Sequence, residues 1–362
     1  MSASADAVLN IMRGETVKYP VTATTSLYKG SMISKRGGYA SALVDGYKFN
    51  GHVKSTVLNT VAEGYGAAGD LNVEVYTGKY TAEIALTGVN EYMVGAYVYA
   101  YDDNTYCLAP LRTPVGIVRR YVSSGVAEVE FDTNMGRETM GAGVVGIFEG
   151  FKKNNLGPAC VIANNSGVAG SWVRTSVNGP GAVVLQTIAA IGASPYCNGV
   201  LITPDVAEND SESFQLSGAQ FMFVDTHPIF FGTRIKVADV TNIDLIMGIG
   251  AVDTALLAAW SDNISFRVVD AAGTCFIITE KATTEASATA TTLVNDTYVN
   301  LGFLWDGASA IYPYVNGTRG TVVATTYLPT STVGCTPSIE FTAGAASEVG
   351  LYMSFLDAYQ IL

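Results

Sequence analysis

Gly64-Tyr65-Gly66-Ala67-Ala68-Gly69-Asp70 runs directly into Leu71-Asn72-Val73-Glu74-Val75-Tyr76-Thr77-Gly78. The first seven residues read as a turn, because glycine supplies positive φ without steric cost and aspartate bonds its own backbone. The next eight alternate. Leu71, Val73 and Val75 face one way, and Asn72, Glu74 and Tyr76 face the other, the period of a half-buried strand. The same grammar returns in Pro114-Val115-Gly116-Ile117-Val118 and in Gly125-Val126-Ala127-Glu128-Val129-Glu130-Phe131. Residues 64–131 therefore read as a barrel-like series of short strands with almost no reactive side chains.

Composition extends this reading to the whole chain. Of 362 residues, 49% are hydrophobic and only 14% charged. That balance allows a sizeable core and suits strands and tight turns more than solvent-exposed helices, which draw on Lys and Glu. The net charge of −12 argues against a nucleic-acid backbone as partner, since phosphate binding needs a basic surface. Cys107, Cys160, Cys197, Cys275 and Cys335 are odd in number and widely spaced, so neither a disulfide framework nor a zinc site is expected, and free thiols fit a reducing cytoplasm. Met1-Ser2-Ala3-Ser4-Ala5-Asp6 lacks the basic-then-apolar order of a signal peptide. The most apolar stretch, 243–260, carries Asp244 and Asp253, and each would cost about 2.5–3.5 kcal/mol inside a bilayer. It reads as two strands and a turn, and no membrane span is expected.

The chain divides into four parts. Residues 1–25 contain Ala7-Val8-Leu9-Asn10-Ile11-Met12 and Val17-Lys18-Tyr19-Pro20-Val21, and Pro20 forbids a central strand. They read as an extended arm that orders on a partner, or as a frayed terminus. Residues 26–132 form a small β domain punctuated by Gly30, Gly37-Gly38, Gly46 and Gly51. Residues 133–160 are a linker with no clear period, broken at Gly157-Pro158. Residues 161–362 read as a larger β-sandwich. Val299, Leu301, Phe303 and Trp305 form a one-faced strand ending in Asp306-Gly307. Ile311 to Val315 then meets Asn316-Gly317, the strongest short hairpin signal. Leu351-Tyr352-Met353-Ser354-Phe355 gives a last strand. Many short strands at regular spacing imply a sandwich or jelly roll.

The candidate chemistry fails on context. The two histidines, His52 and His227, lie in different predicted domains, so no Ser-His-Asp or Cys-His pair is expected. Gly141-Ala142-Gly143-Val144-Val145-Gly146 fits a dinucleotide glycine pattern, but no strand precedes it and no useful helix follows. Asp205, Glu208, Asp210 and Glu212 lack the turn glycine of a calcium loop and read as a solvated loop. No paired carboxylates suited to sugar hydrolysis stand out. No catalytic residue, metal site or cofactor is expected. Trp305 is in phase with Leu301 and Phe303 and reads as core. Tyr312 and Tyr314 fall on the opposite face from Ile311 and Val315, where exposed rings could contact a glycan.

Tyr28-Lys29-Gly30, the Gly37-Gly38-Tyr39-Ala40 turn, Gly66-Ala67-Ala68-Gly69-Asp70 with its strand, and Val115-Gly116-Ile117-Val118 together resemble the capsid decoration proteins of tailed bacteriophages. The resemblance covers about the first third of the chain. It implies a β-barrel-like domain on the outer surface of the virion head, often a homotrimer, that clamps the major capsid protein and stabilises the capsid. The N-terminal arm would add contacts through Val8, Leu9, Ile11, Val17, Tyr19 and Val21. The second domain resembles concanavalin-type, lectin-like sandwiches. The residues that carry this likeness are Phe230 to Val237, Met247-Gly248-Ile249-Gly250, Asn300 to Gly307, and Tyr314-Val315-Asn316-Gly317. It implies a host-surface glycan as a second possible partner, though the calcium and sugar ligands of true lectins are not recognisable.

Overall fold

The computed structural model describes residues 10–11, 14–111, 113–135, 144–149, 172–177, 182–186, 199–204, 209–216, 218–269, 273–344 and 349–362. The chain separates into two compact units, Met1–Val144 and Val145–Leu362. Among the described residues strands dominate both, and helix is confined to short turns, so the chain is all-β.

The strands of the first unit are β1 (Asn10–Ile11), β2 (Glu15–Pro20), β3 (Thr25–Leu27), β4 (Met32–Arg36), β5 (Tyr39–Ala42), β6 (Gly51–Val53), β7 (Val57–Asn59), β8 (Asn72–Thr77), β9 (Lys79–Ala85), β10 (Tyr97–Ala100), β11 (Tyr106–Cys107), β12 (Pro114–Ser123) and β13 (Val126–Asp132). One sheet runs β2-β8-β6-β4-β5, a second runs β1-β9-β13-β12-β10-β11, and β3 pairs with β7. The first sheet curls until its two ends meet, because Val21, just beyond β2, bridges Ala40 of β5 in parallel. That closure gives the unit its barrel-like character. Val73 and Val75 fill the interior with Val21, Leu27, Ile33, Ala40 and Val53, as the alternation of β8 requires. Gly51 opens β6 at φ +127°, and a Cβ there would lie 1.9 Å from the Tyr76 carbonyl oxygen, so only glycine permits this strand pairing.

The reading of residues 1–25 as an arm needs correction from Glu15 onward. Glu15–Pro20 pairs with β8 from Glu15↔Thr77 to Pro20↔Asn72. Tyr19 packs against the interior cluster and Val21 belongs to it, which gives the segment its own stake in the fold. Pro20 is tolerated because β2 is a terminal strand of its sheet. Residues 1–9 lie outside the described residues.

The second unit holds β14 (Val144–Glu149), which begins at the division between the units, then β15 (Trp172–Val177), β16 (Ala182–Gln186), β17 (Gly199–Thr203), β18 (Ser211–Leu216), β19 (Ile229–Val237) and β20 (Ile243–Ala251). A single helical turn α1 (Leu256–Ala259) precedes β21 (Asn263–Val268), β22 (Thr274–Lys281), β23 (Thr284–Thr292), β24 (Val299–Trp305), β25 (Ala310–Val315), β26 (Thr318–Arg319), β27 (Val323–Ala324), β28 (Cys335–Ala343) and β29 (Leu351–Ile361). One layer follows the order β15-β18-β28-β20-β21-β22-β23, and the facing layer follows β16-β17-β29-β19-β24-β25-β26. Phe231 and Phe303 stack at 5.2 Å in one layer, and Phe266 of the other layer lies 6.3 Å from Phe303. These rings belong to one continuous core with Ile235, Met247, Leu301, Trp305 and Phe341. This is the expected β-sandwich.

The hairpin and the last strand form as expected, and the stretch 243–260 resolves differently. Asn316 and Gly317 both adopt positive φ, 49° and 76°, as a two-residue hairpin turn demands. The stretch 243–260 is one strand followed by α1, not two strands, because Trp260 folds back to donate its indole N–H to the Ala251 carbonyl at 2.7 Å. The C-terminal strand runs on to Ile361 and is central in its sheet, between β17 and β19.

Candidate functional site

The most exposed apolar side chains of the first unit gather on the loop after β7. Asn59, fully buried, builds that loop. Its amide donates to the Thr22 and Ala67 carbonyls at 3.0 and 2.8 Å, and its oxygen accepts from Gly66 N–H at 3.1 Å. Asp70 accepts from Ala67 N–H at 2.8 Å, and Gly69 N–H reaches the Val21 carbonyl at 2.9 Å. Gly64, Gly66 and Gly69 take positive φ to close the turn. With its backbone tied down, the loop holds Val61 and Tyr65 outward at 75% and 49% exposure. Tyr39, at 36%, borders the same loop: a Cβ on Gly66 would touch Val61, and one on Gly69 would touch Tyr39. These side chains lie outside the core of the unit, on a loop whose backbone is held by its own hydrogen bonds.

The predicted capsid-contact residues do not form one surface. Val8 and Leu9 lie outside the described residues. Ile11 pairs with Ala82 in the second sheet. Val17 is 39% exposed and Tyr19 half-buried, with the Lys35 ammonium 4.7 Å from its ring. Val21 is 0% exposed, and as a core residue it cannot touch a partner. Composition had no means of separating these six. The loop residues Val61 and Tyr65 were missed because their neighbours follow no strand period, and Tyr39 because it opens the short strand β5; the cluster of glycines before Asp70 was the available signal.

His52 is structural. Its Nδ1 lies 2.7 Å from the Tyr80 hydroxyl and its Nε2 lies 2.6 Å from the Tyr106 hydroxyl. Phe49 and Phe131 close around the ring at 5.2 and 4.6 Å. Burial pulls its pKa down to about 3, and burial likewise raises both tyrosines. A neutral imidazole has one N–H and one lone pair, so one tyrosine donates to it and the other accepts. His227 sits in a loop just before Pro228, and its N–H bonds the Val224 carbonyl.

In the sandwich, Asp205 and Glu208 lie outside the described residues. Glu212 is no solvated-loop residue: it is buried in β18 and bound to the Arg174 guanidinium through two 2.6 Å contacts. Asp210 is also buried. Among the described residues no group of His, Cys, Asp and Glu is arranged to hold a metal. Cys107, Cys275 and Cys335 are buried thiols, and burial pushes the pKa of Cys275 and Cys335 up to about 12, which suppresses the nucleophilic thiolate. Cys160, Cys197 and the glycine motif at 141–143 lie outside the described residues.

The expected exposed tyrosine pair also needs correction. Tyr314 is only 3% exposed. It pairs across the sheet with Gly302, which pairs with Gly232, and two positions without side chains leave room for the ring against the sheet. Tyr312 is half-buried beneath the Arg319 guanidinium, 4.2 Å from its ring. A different feature is concave. At one end of the sandwich, Phe223 and Trp305 line a cleft of about 390 Å³ whose rim includes Asp225, Lys281, Thr325 and Ser331.

No family model and no curated protein matches the chain. Solved structures resemble parts of it. A protein of unknown function from Shewanella oneidensis MR-1 aligns over 60% of this chain and 85% of its own, with 13% identity and a TM-score of 0.39. The Emp46p carbohydrate recognition domain aligns over 44% of this chain and 82% of its own, at 8% identity and a TM-score of 0.34. The conserved carbohydrate esterase of Shiga toxin-encoding bacteriophage phi24B aligns over 52% of this chain and 89% of its own, at 15% identity and a TM-score of 0.34.

Proposed function

We propose that the chain is a structural protein of a tailed-bacteriophage virion that docks on the major capsid protein from outside and stabilises the head by binding alone. The observation that supports this reading is the rigid loop that holds Val61 and Tyr65 outward beside Tyr39. Apolar side chains with their backbone already ordered lose little conformational entropy on docking, and exposed tyrosines have the character of interface anchors. The first unit is the docking base. Val8 and Leu9 add a short arm, whereas Ile11, Val17 and Tyr19 act from edge strands of the folded unit. A homotrimer about a three-fold axis would present three such loops together and turn weak contacts into avidity.

Mass spectrometry of purified particles tests the reading. A fixed copy ratio of this chain to the major capsid protein is expected. Its absence from intact particles, or a ratio that varies between preparations, overturns it.

A further inference from the structure

We propose that the free edge of β23 pairs with the same edge of a second copy of this chain, joining two sandwiches in one continuous sheet about a two-fold axis. This goes beyond the docking reading and does not depend on it. The two-fold belongs to the sandwich and is separate from any three-fold of the first unit.

Among the described residues, β23 (Thr284–Thr292) is the last strand of its layer and pairs with β22 alone. The hairpin that joins the two fixes which backbone groups are free. Ala282 and Thr283 form its two-residue loop, both at positive φ, 47° and 71°, so Lys281 and Thr284 make the first hydrogen-bonded pair. Such pairs recur at every second residue of an antiparallel ladder. Ala286 and Ala288 therefore turn their N–H and C=O groups to Thr279 and Ile277, while Glu285, Ser287 and Thr289 turn theirs away from β22. No backbone group of the described residues takes up these outward groups. The side chains of Glu285, Ser287 and Thr289 are exposed, so the edge is open.

Native sheets blunt an open edge with a lysine, a proline, a bulge or an inward-pointing charge. From Thr284 to Thr289 this strand has none of them, and its register with β22 shifts only beyond the Phe276↔Thr289 pair. Its one charge, Glu285, is held by Arg267 at 2.8 and 3.1 Å. Two copies of a chain with a net charge of −12 repel one another, and this edge lets them approach without setting like charges face to face.

The occupant follows from the order of residues along the edge. A two-fold axis through Ser287 sets Glu285 opposite Thr289 and Ala286 opposite Ala288. In that register the outward N–H and C=O groups of Glu285, Ser287 and Thr289 all find partners in the other copy. The two carboxylates fall at opposite ends of the ladder, and the two Ser287 hydroxyls meet at its centre, a favourable cross-strand pair. A foreign strand draws its specificity from side-chain pockets along the edge it joins. The small side chains of Ala286, Ser287 and Ala288 give such a strand little to read, whereas they let an identical edge come close.

Disulfide trapping on the full chain tests the register. Ser287→Cys places a thiol opposite its own copy, at the Cα separation of about 5.5 Å found in a hydrogen-bonded pair and within reach of a disulfide. Thr289→Cys leaves the two thiols four residues apart along the ladder, about 14 Å, and out of reach. Under oxidised glutathione, Ser287→Cys should give at least about tenfold more covalent dimer on a non-reducing gel than Thr289→Cys or wild type. Adding Glu285→Pro to Ser287→Cys should cut the dimer about tenfold with an unchanged circular dichroism spectrum, because the ring replaces an N–H that only the second copy uses. Absence of dimer from Ser287→Cys overturns the proposal. So does dimer formed equally by Thr289→Cys, or dimer that survives Glu285→Pro.

Discussion

The Nδ1 of His52 lies 2.7 Å from the hydroxyl of Tyr80, and that contact joins the two sheets of the first unit. His52 belongs to β6 of one sheet, and Tyr80 belongs to β9 of the other. Tyr106, also in the second sheet, takes the remaining ring nitrogen. The bridge works only while the imidazole is neutral, and that gives it a pH signature. The folded pKa is about 3 against an ordinary 6.5, so as pH falls below 6.5 the unfolded chain binds a proton that the folded chain refuses. Stability contributed by His52 is thus complete above pH 6.5 and is lost as pH falls from there toward 3. The slope is about 1.4 kcal/mol per pH unit. Urea unfolding between pH 7 and 4.5 should show wild type losing about 2–3 kcal/mol more than His52→Gln. Equal slopes would refute a buried neutral imidazole.

Much of the fold was legible where one face of a strand is buried and the other is not. In β8, Val73 and Val75 announce the interior by alternation alone, and Asn316-Gly317 announces its hairpin through backbone chemistry. Alternation says which residues share a face; it cannot say whether the other face is also covered. For that reason Tyr314 reads as exposed in the sequence and is buried in the structure. Nor does a local window reveal partners far along the chain. The cleft needs Phe223, Lys281 and Ser331 together, and Arg174 finds Glu212 across 38 positions. The segment from Glu15 was read as part of the arm for a related reason: Val17, Tyr19 and Val21 do alternate, but the run is short and is interrupted by Pro20.

Asn59 should be the most sensitive polar residue of the docking loop. Replacing it by alanine leaves the Thr22 and Ala67 carbonyls without their donor and Gly66 N–H without its acceptor. Loss of about 2–4 kcal/mol is expected. Hydrogen exchange should accelerate at Gly66 and Gly69 first, because their amides report the closure of the loop. Unchanged exchange in Asn59→Ala would mean that the glycines and Asp70 hold the loop without it.

The Arg174–Glu212 pair makes an asymmetric prediction. Glu212 is fully buried, its carboxylate is gripped by two guanidinium contacts, and Ser176 donates to it at 2.8 Å. Glu212→Ala strands a largely buried cation and should cost about 3–5 kcal/mol. Replacing both partners, as Arg174→Met with Glu212→Leu, should recover most of that loss, since neither charge is then left uncompensated. A double-mutant cycle by urea unfolding measures the difference. Additive single and double variants would show that the two residues do not act as a pair.

Docking is assigned to the first unit, so it should separate by mutation from changes in the sandwich. Val61 is 75% exposed and Tyr65 is 49% exposed, so Val61→Asp and Tyr65→Ala should change stability by no more than about 0.5 kcal/mol. On the surface of a particle the same changes remove an apolar anchor and, for Val61→Asp, bury a charge against the partner. Each should weaken association with particles that lack the chain by tenfold or more, on the order of 1.4 kcal/mol. Asp225→Ala, in the sandwich, should bind such particles as wild type does. Co-sedimentation at equal protein concentration distinguishes the cases. If Val61→Asp and Tyr65→Ala pellet with the particles as wild type does, the loop is not the docking element. If Asp225→Ala is lost with them, the two units do not act independently.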